Sequence, residues 1–323
     1  MTQYASYDGM NKGESILFAE LDALAAALAE RLPSPGFLTD VVTLLARHRT
    51  AVGWQEWREF ATGAFRRHSI VPLLLQEPSS RYGLRKPRGY AGDAVLMDFG
   101  YGAGGSERLV SEAGPVGQEL YRQMFDSPWS SVLRARRNYL AARIGKACSR
   151  PSNRILAVAC GHLRELQQLP PHCQPGRFLA LDQDGESLAT ARAGLSGFAI
   201  ECCKCSAFRL LSSRFEIGDF DFIYSAGLYD YLDDTFGARL VLALARRLAP
   251  GGTLLVANML PGFGCSGYME AVMDWWLIYR SAAEMLALAR GAIESGGFTA
   301  RAFTANDDSI AYLEICREGS VHP

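Results

Sequence analysis

Residues 154–184 constrain the fold of this chain most, because two short apolar runs flank a glycine turn and a helix-like segment. The first run is Ile155–Ala159, the turn is Cys160–Gly161, Leu163–Leu169 has helical composition, and the second run ends on Asp182. This order predicts a parallel β-α-β unit. In such a unit the glycine lets a ligand approach the backbone, and the acid accepts hydrogen bonds from ribose hydroxyl groups. We interpret the stretch as a nucleoside-binding unit.

The turn after the first run contains one glycine, Gly161, and lacks the G-x-G-x-x-G fingerprint of dinucleotide sites. A pyrophosphate group needs glycine-lined backbone N–H groups, so this turn disfavours a nicotinamide cofactor and an oxidoreductase. S-adenosylmethionine (SAM) carries no phosphate, and its site tolerates a turn with fewer glycines. An ordinary α/β turn without a ligand is the alternative.

The second part of the chain alternates strand-like and helix-like segments, which predicts a parallel sheet covered by helices. Two final strands, Phe298–Thr304 and Ile310–Cys316, are joined by Asn306–Asp308 and predict an antiparallel hairpin. We therefore expect an α/β, Rossmann-like domain with an antiparallel C-terminal hairpin. The further predicted strands and helices are Phe198–Cys205, Asp219–Ser225, Thr253–Asn258, and helices at 185–195, 235–248, 269–279 and 282–295.

The first part of the chain predicts helices at 15–32, 37–48 and 53–68, and a longer one at 117–148 that is interrupted at Pro128. We expect an N-terminal helical domain, residues 1–128, followed by the α/β domain, residues 129–323. The apolar helix faces fit a lid over a substrate, the interface of a homodimer, or both.

Residues 81–102 are rich in Gly, Tyr and Arg and lack a regular period at their start. A loop of this length in a compact protein is often functional, and a linker on the surface is the alternative. Arg88, Tyr90 and Asp93 offer a cation, a phenol and a carboxylate close together.

The composition argues against several partners. The chain has 33 Lys and Arg residues against 34 Asp and Glu residues, which gives no argument for nucleic acid or an anionic membrane. Its apolar runs are shorter than the roughly 20 residues of a membrane-spanning helix, and the N-terminus lacks a signal-peptide pattern. The eight cysteines lack metal-ligand spacing. We therefore expect a cytoplasmic protein with reduced thiols and no metal.

Four segments, in this order, carry a resemblance to a known family: ILAVACG, LALDQD, FDFIYSAGLYDYL and LAPGGTLLVAN. Residues 130–318 resemble class I SAM-dependent methyltransferases. More narrowly, RGYAGD, ACGHLRE and YMEAVMDWWLIYR are similar to a bacterial group labelled 3-hydroxypalmitate methyl ester biosynthesis proteins. The resemblance implies SAM as the cofactor and a small molecule as the substrate.

Ligands of parallel sheets bind beyond the carboxyl ends of the strands, which predicts the cofactor residues. They are Ala159, Cys160, Gly161, Asp182, Gln183, Cys205, Ser206, Ser225, Ala226 and Gly227. The family pattern usually has an acid at position 157 and a glycine at position 163, where this chain has Ala157 and Leu163. We therefore predict that Glu165 contacts the methionine end of SAM and that Arg137 or Arg134 pairs with its carboxylate.

The acceptor is less constrained by the sequence. The first prediction is a carboxylate acceptor, for which the resemblance implies a hydroxy fatty acid that becomes a methyl ester, and such an acceptor needs a cation such as Arg280 or Arg88. An N- or S-methyltransferase of an amino-acid-like metabolite is the alternative, with Asp230 or Asp274 accepting a proton. A SAM-sensing or nucleotide-sensing module without chemistry is a further alternative. The predicted catalytic residues are Tyr229, Asp230 and Arg280, and the predicted substrate residues are Arg88, Tyr90, Asp93, Tyr229, Asp274, Trp275, Tyr279 and Arg280.

Overall fold

The computed structural model describes residues 12–30, 32–150, 152–170, 172–305 and 309–319. The chain divides into two compact units: the helical unit, residues 1–133 and 262–276, and the sheet unit, residues 134–261 and 277–323. We expected one boundary, between residues 128 and 129. The chain instead leaves the sheet unit after Pro261 and re-enters it at Leu277, so residues 262–276 belong to the helical unit.

Helices with one apolar face build the helical unit. The helix predicted at 15–32 is found at Lys12–Glu30. The one predicted at 37–48 extends to Ala51, and the one predicted at 53–68 ends at Thr62, before a 3₁₀ turn at Phe65–Arg67. The helices are α1 (Lys12–Glu30), α2 (Phe37–Ala51), α3 (Trp54–Thr62), α4 (Ile70–Leu74), α5 (Pro78–Arg85), α6 (Ala94–Tyr101), α7 (Ser106–Ser111), α8 (Pro115–Asp126), α9 (Pro128–Cys148), which crosses the division between the units, and α12 (Ser266–Val272).

A buried carboxylate ties α12 to the rest of the helical unit. Glu270 is 0% exposed, and its two oxygens accept hydrogen bonds from Arg49 at 2.6 and 2.9 Å. The indole N–H of Trp57 donates to the same carboxylate at 2.6 Å. A buried carboxylate is tolerated only when it is paired and hydrogen-bonded, as here. These contacts explain why residues 262–276 group with helices that precede them by some 200 positions.

The prediction of a long loop at residues 81–102 is wrong in extent, because two short helices occupy most of this segment. Glu77 caps α5 by accepting the N–H groups of Ser79 and Ser80, and Asp93 caps α6 by accepting the N–H of Leu96. Side-chain caps of this kind satisfy the first N–H groups of a helix and allow short helices to form. The irregular part is therefore limited to residues 86–93.

The sheet unit contains a seven-stranded sheet in the order β3-β2-β1-β4-β5-β7-β6. The first five strands pair in parallel, and β7 pairs antiparallel with both β5 and β6. The predicted fold class is confirmed; the turn predicted at Asn306–Asp308 lies outside the described residues. The strands are β1 (Arg154–Val158), β2 (Arg177–Asp182), β3 (Glu201–Lys204), β4 (Phe220–Ser225), β5 (Leu248–Met259), β6 (Phe298–Thr304) and β7 (Ile310–Arg317).

The core of the sheet unit lies between the sheet and its helices. The central strand β1 is buried on both faces, since Ile155, Leu156 and Ala157 are each 0% exposed. On one face Leu156 and Val158 belong to the same apolar cluster as residues of the covering helices. These helices are α11 (Asp234–Ala245), α13 (Ala282–Leu288) and α14 (Arg290–Glu294). A strand without polar alternation is typical of a parallel sheet with both faces covered.

Three of the helices predicted in the second part of the chain are cut short or divided. The segment after β1 forms only a 3₁₀ turn at Leu166–Gln168, and Leu163, the first residue of the predicted helix, has a left-handed backbone with φ 52°. The helix predicted at 269–279 ends at Val272, and Asp274 is left-handed with φ 51°. The helix predicted at 282–295 is divided at Ala289. A residue with positive φ cannot continue a right-handed helix.

Candidate functional site

The turn after β1 has an alternating backbone conformation. Ala159, Gly161 and Leu163 all have positive φ, at 52°, 56° and 52°. For residues other than glycine this conformation costs about 1–2 kcal/mol each. Strained residues of this kind cluster at ligand sites, where the surrounding structure holds them in place. Position 163, where the family pattern has glycine, therefore keeps the left-handed conformation although the residue is leucine.

Asp182 holds this turn through its side chain. Its Oδ2 accepts the N–H of Gly161 at 2.8 Å, and its Oδ1 accepts the N–H of Asp184 at 2.9 Å. Burial raises the pKa of the Asp182 carboxyl, and the backbone N–H groups oppose that rise. Each carboxylate oxygen keeps acceptor capacity for a further donor. The side chain can therefore also accept hydrogen bonds from the hydroxyl groups of a ribose.

A second carboxylate lies at the same edge of the sheet. Glu165 Oε1 accepts the hydroxyl of Tyr224, a residue of β4, at 2.6 Å. Burial raises the pKa of Glu165, whereas the Tyr224 hydrogen bond and the guanidinium groups of Arg136 and Arg137 lower it. Glu165 and the two arginines are thus electrostatic neighbours. The charges of Arg136 and Arg137 act on Glu165, and the predicted contact of Glu165 with SAM remains a prediction.

Arg136, rather than the predicted Arg137 or Arg134, is the buried arginine of α9 near the end of β4. Arg136 is 5% exposed and donates from Nη1 to the carbonyl oxygen of Ala226 at 2.9 Å, just beyond β4. The pattern of α9 contains the signal for this burial: Val132 and Leu140, four residues before and after Arg136, are both buried. Positions four apart share one helix face, so Arg136 lies on the buried side.

The ends of β3 and β4 complete the edge. The hydroxyl of Ser225 donates to the carbonyl of Val158 at 3.0 Å and joins the ends of β4 and β1. The N–H of Cys205 donates to the carbonyl of Asp182 at 2.8 Å, and Ser206 Oγ accepts the N–H of Phe208 at 3.3 Å. The predicted cofactor residues therefore converge on the carboxyl ends of β1 to β4. Of the remaining ones, Gln183 is exposed, and Cys160, Gly161, Ala226 and Gly227 are half-buried.

Asp230 is a buried carboxylate beyond β4. It is 3% exposed, and its Oδ1 accepts the N–H of Met259, the last residue of β5, at 2.7 Å. Burial raises the pKa of Asp230 from 3.8 to about 6, and the charges of Arg136 and Arg280 oppose that rise. A carboxyl group with this pKa is poised to exchange a proton near neutral pH.

Tyr229 has a different environment from the one predicted for a residue of the transfer site. Its side chain is 0% exposed and belongs to the apolar core of the sheet unit. Its hydroxyl has no hydrogen-bond partner among the described residues. Since the Tyr229 ring packs among apolar core residues, whereas Asp230 is bonded to the end of β5, we leave Tyr229 out of the proposed site.

Arg280 was predicted to offer a cation to a substrate, and its contacts contradict that role. It is 2% exposed. All five of its side-chain N–H groups donate to acceptors in the sheet unit. These acceptors are Asp234 Oδ1, which receives two of the hydrogen bonds, Asn258 Oδ1, and the carbonyl oxygens of Tyr229 and Leu232. A guanidinium group has five N–H donors, so none remains for a carboxylate.

The substrate residues predicted in the helical unit also have structural contacts. Asp93 is 2% exposed, and besides capping α6 it accepts the hydroxyl of Tyr82 at 3.1 Å. Burial raises the pKa of the same Tyr82 phenol, whereas the charge of Arg88 and its hydrogen bond lower it. Asp274 pairs with Lys86 at 2.5 Å and with Arg66 at 3.3 Å. Tyr90 and Trp275, and Tyr279 in the sheet unit, are half-buried, and their roles remain predictions.

The residues of the sheet unit fit SAM by their chemistry. Asp182 provides acceptors for a ribose, and Gly161, which donates its N–H to Asp182, has a left-handed backbone without a side chain. Glu165, Arg136 and Arg137 together offer one anion and two cations, which match the ammonium and carboxylate groups of the methionine end. No cluster of metal-binding side chains occurs within the described ranges, and no helix there is long and apolar enough to cross a bilayer.

Comparison with known proteins agrees with this fit. Residues 155–252, from β1 into β5, match a family model described as a methyltransferase domain. No curated protein matches the chain. In fold, the chain is similar to a possible exported protein from Bordetella parapertussis, with TM-score 0.54 and 18% identity over 98% of this chain and 100% of that chain.

Two solved methyltransferases match the chain less closely. The N-methyltransferase NodS from Bradyrhizobium japonicum, in complex with S-adenosyl-L-homocysteine, has TM-score 0.42 and 17% identity over 65% of this chain and 95% of that chain. A SAM-dependent methyltransferase from Mesorhizobium loti has TM-score 0.40 and 18% identity over 56% and 98%. Residues 155–252 are thus a methyltransferase domain, with SAM as its cofactor.

The left-handed turn makes opposite predictions for two neighbouring substitutions. Ala159→Gly relieves a strained residue, so SAM affinity is retained and stability is unchanged or rises by up to about 1 kcal/mol. Gly161→Ala adds about 1–2 kcal/mol of strain and a methyl group beside the ligand, so we expect SAM affinity to fall at least about tenfold. Calorimetric titration with SAM and thermal unfolding measure both effects. Equal SAM affinity in the two variants would contradict the assignment.

The carboxylate of Asp182 predicts a second pair of outcomes. Asp182→Ala removes the partner of Gly161 and the acceptor for ribose hydroxyls, so SAM affinity falls by at least about tenfold. Asp184→Asn is the matched control, because Asp184 caps the helix Gly185–Gly194 and asparagine caps helices equally well. Titration of both variants with SAM and S-adenosylhomocysteine separates the two residues. If the Asp182 variant binds SAM as tightly as the wild type, Asp182 does not contact the ribose.

Proposed function

We propose that the enzyme transfers a methyl group from SAM to a small molecule at an amine or hydroxyl group, and that Asp230 accepts the proton that is lost. The observation that carries this proposal is a buried carboxylate with a pKa of about 6. It lies beyond β4 and is bonded to the end of β5, on the edge of the sheet where ligands of this fold bind. The near-equal numbers of 33 basic and 34 acidic residues favour a small substrate over a nucleic acid.

The chemistry of the acceptor decides whether a base is required. Bound SAM supplies an activated methyl group, so the protein needs only to align the acceptor, exclude water and, for some acceptors, remove a proton. An ammonium or hydroxyl group loses a proton when it is methylated. Above pH 6 most Asp230 side chains are ionised and can accept that proton.

A carboxylate acceptor, as in the methyl ester of a hydroxy fatty acid, is the alternative. It is ionised near neutral pH and needs no base. It would need a nearby cation instead, and Arg280, one of the two cations predicted for that role, has all its side-chain N–H groups bound within the sheet unit. The carboxylate of Asp230 would also repel it at close range. The environment of Asp230 therefore favours an amine or hydroxyl group over a carboxylate.

The pH dependence of the reaction tests the choice. The acceptor is first found by screening amino acids, amines and hydroxy fatty acids for S-adenosylhomocysteine formation. We then expect kcat/KM to rise with pH through about 6 and Asp230→Asn to lower kcat about 100-fold or more. Asp233→Asn is the matched control, since Asp233 is the exposed cap of α11. A flat pH profile from 5 to 8 and an active Asp230→Asn variant would favour a carboxylate.

Stability provides an independent readout of Asp230. Since burial raises its pKa from 3.8 to about 6, the folded protein binds this proton more tightly than the unfolded chain. The contribution of Asp230 to the free energy of unfolding is therefore fully present below pH 4 and is lost as pH rises through about 6. Two pKa units correspond to about 3 kcal/mol at most. We expect Asp230→Asn to be more stable than the wild type at pH 7 and equally stable at pH 4, as measured by urea unfolding. If the free energies of unfolding of the two proteins change with pH in the same way, the pKa of Asp230 is not raised in the folded state.

A further inference from the structure

We propose that Arg280 is a positioning residue, which holds Asp230 in the orientation and the electrostatic field that its role as a base requires. The inference rests on the proposed function of Asp230. Its basis is the set of hydrogen bonds around one buried guanidinium group in the sheet unit.

The guanidinium group binds the backbone on both sides of Asp230. Its Nη1 donates to the carbonyl of Tyr229, the preceding residue, at 2.8 Å, and its Nη2 donates to the carbonyl of Leu232. These residues belong to the 3₁₀ turn Tyr229–Tyr231 and its cap. A planar group with donors in fixed directions restrains both carbonyls at once. The peptide that carries Asp230 is therefore fixed at its two ends.

The same side chain joins this turn to the end of β5. A second Nη1 hydrogen bond reaches Asn258 Oδ1 at 2.9 Å, and the backbone N–H of Arg280 donates to the carbonyl of Met259 at 3.0 Å. Met259 is the residue whose N–H binds Asp230 Oδ1 at 2.7 Å. The N–H of Ile278 also donates to the carbonyl of Asp230 at 2.7 Å. Arg280 thus connects both sides of the hydrogen bond that aims the carboxylate.

The charge of Arg280 acts on Asp230 as well. The charged groups that influence Asp230 are Arg136, from α9, and Arg280, and both favour its ionised form. On its other side Arg280 pairs with Asp234 at 2.8 Å, and the Asp234 side chain is 82% exposed. Water screens that exposed carboxylate, so it neutralises the buried cation only in part. Much of the field of Arg280 is therefore left to act on Asp230.

Two substitutions separate geometry from charge. Arg280→Gln removes the charge and most of the hydrogen bonds, whereas Arg280→Lys keeps the charge but cannot reach all the acceptors. We expect both variants to lower kcat by about 10- to 100-fold. Only Arg280→Gln should move the acidic limb of the kcat/KM profile to higher pH. The affinity for SAM, measured by calorimetry, should stay within about threefold of the wild type, because the predicted cofactor residues follow β1 to β4.

A milder variant covers the case in which Arg280 is needed for folding. Asp234→Ala removes one acceptor from an exposed position and leaves the apolar core intact, so we expect a folded protein with kcat lowered several-fold. Circular dichroism and gel filtration verify the fold. The inference is overturned if folded variants keep both kcat and the acidic limb, or if kcat falls only in proportion to SAM affinity.

The outcomes also distinguish this inference from the proposed function. If Asp230→Asn is active and the wild-type profile is flat, Asp230 is not a base and the proposed function fails. If Asp230→Asn is inactive and the wild-type profile has its acidic limb, but Arg280→Gln leaves that limb in place, only the positioning role of Arg280 fails.

Discussion

The carboxylate of Asp182 is the interaction on which the cofactor edge of this enzyme depends. It accepts one N–H from the turn after β1 and another from the turn after β2, so a single side chain determines how two adjacent strands end. The left-handed residues Ala159 and Leu163 are unfavourable alone, at about 1–2 kcal/mol each. The hydrogen bonds to Asp182 and the buried strands around it offset that cost. Binding of a ribose would use the remaining acceptor capacity of the same oxygens.

The sheet and its ligand edge could be predicted from the sequence because they depend on local patterns. Apolar runs of strand length mark β1, β2, β4 and β5, and an acid after the second run marks Asp182. The backbone of the turn could not be predicted this way. Leucine and alanine do not favour positive φ, and only the surrounding structure makes Leu163 and Ala159 adopt it. The loop expected at 81–102 failed for a related reason, since the caps that create α5 and α6 are single polar residues, Glu77 and Asp93.

The partners of arginine side chains were the least predictable part of the site. A sequence shows where an arginine lies but not which acceptors surround it, because these come from distant positions. Arg280 binds acceptors between 22 and 51 residues away. Its contacts are structural, although it follows Trp275 and Tyr279, which are predicted substrate residues. Arg136 shows the converse, since it lies in a basic stretch with Arg134 and Arg137 and is nevertheless buried. Helical spacing identifies Arg136, whereas no local pattern identifies the role of Arg280.

The return of residues 262–276 to the helical unit has a consequence for how this protein is made. The ribosome completes the first part of the unit at about residue 133, and the sheet strands β1 to β5 follow before α12 is synthesised. At typical translation rates this interval lasts on the order of 10 seconds. During that time the N-terminal helices lack α12 and its buried residue Glu270. The helical unit can therefore be completed only after most of the sheet has been synthesised, although its first residues leave the ribosome before any strand.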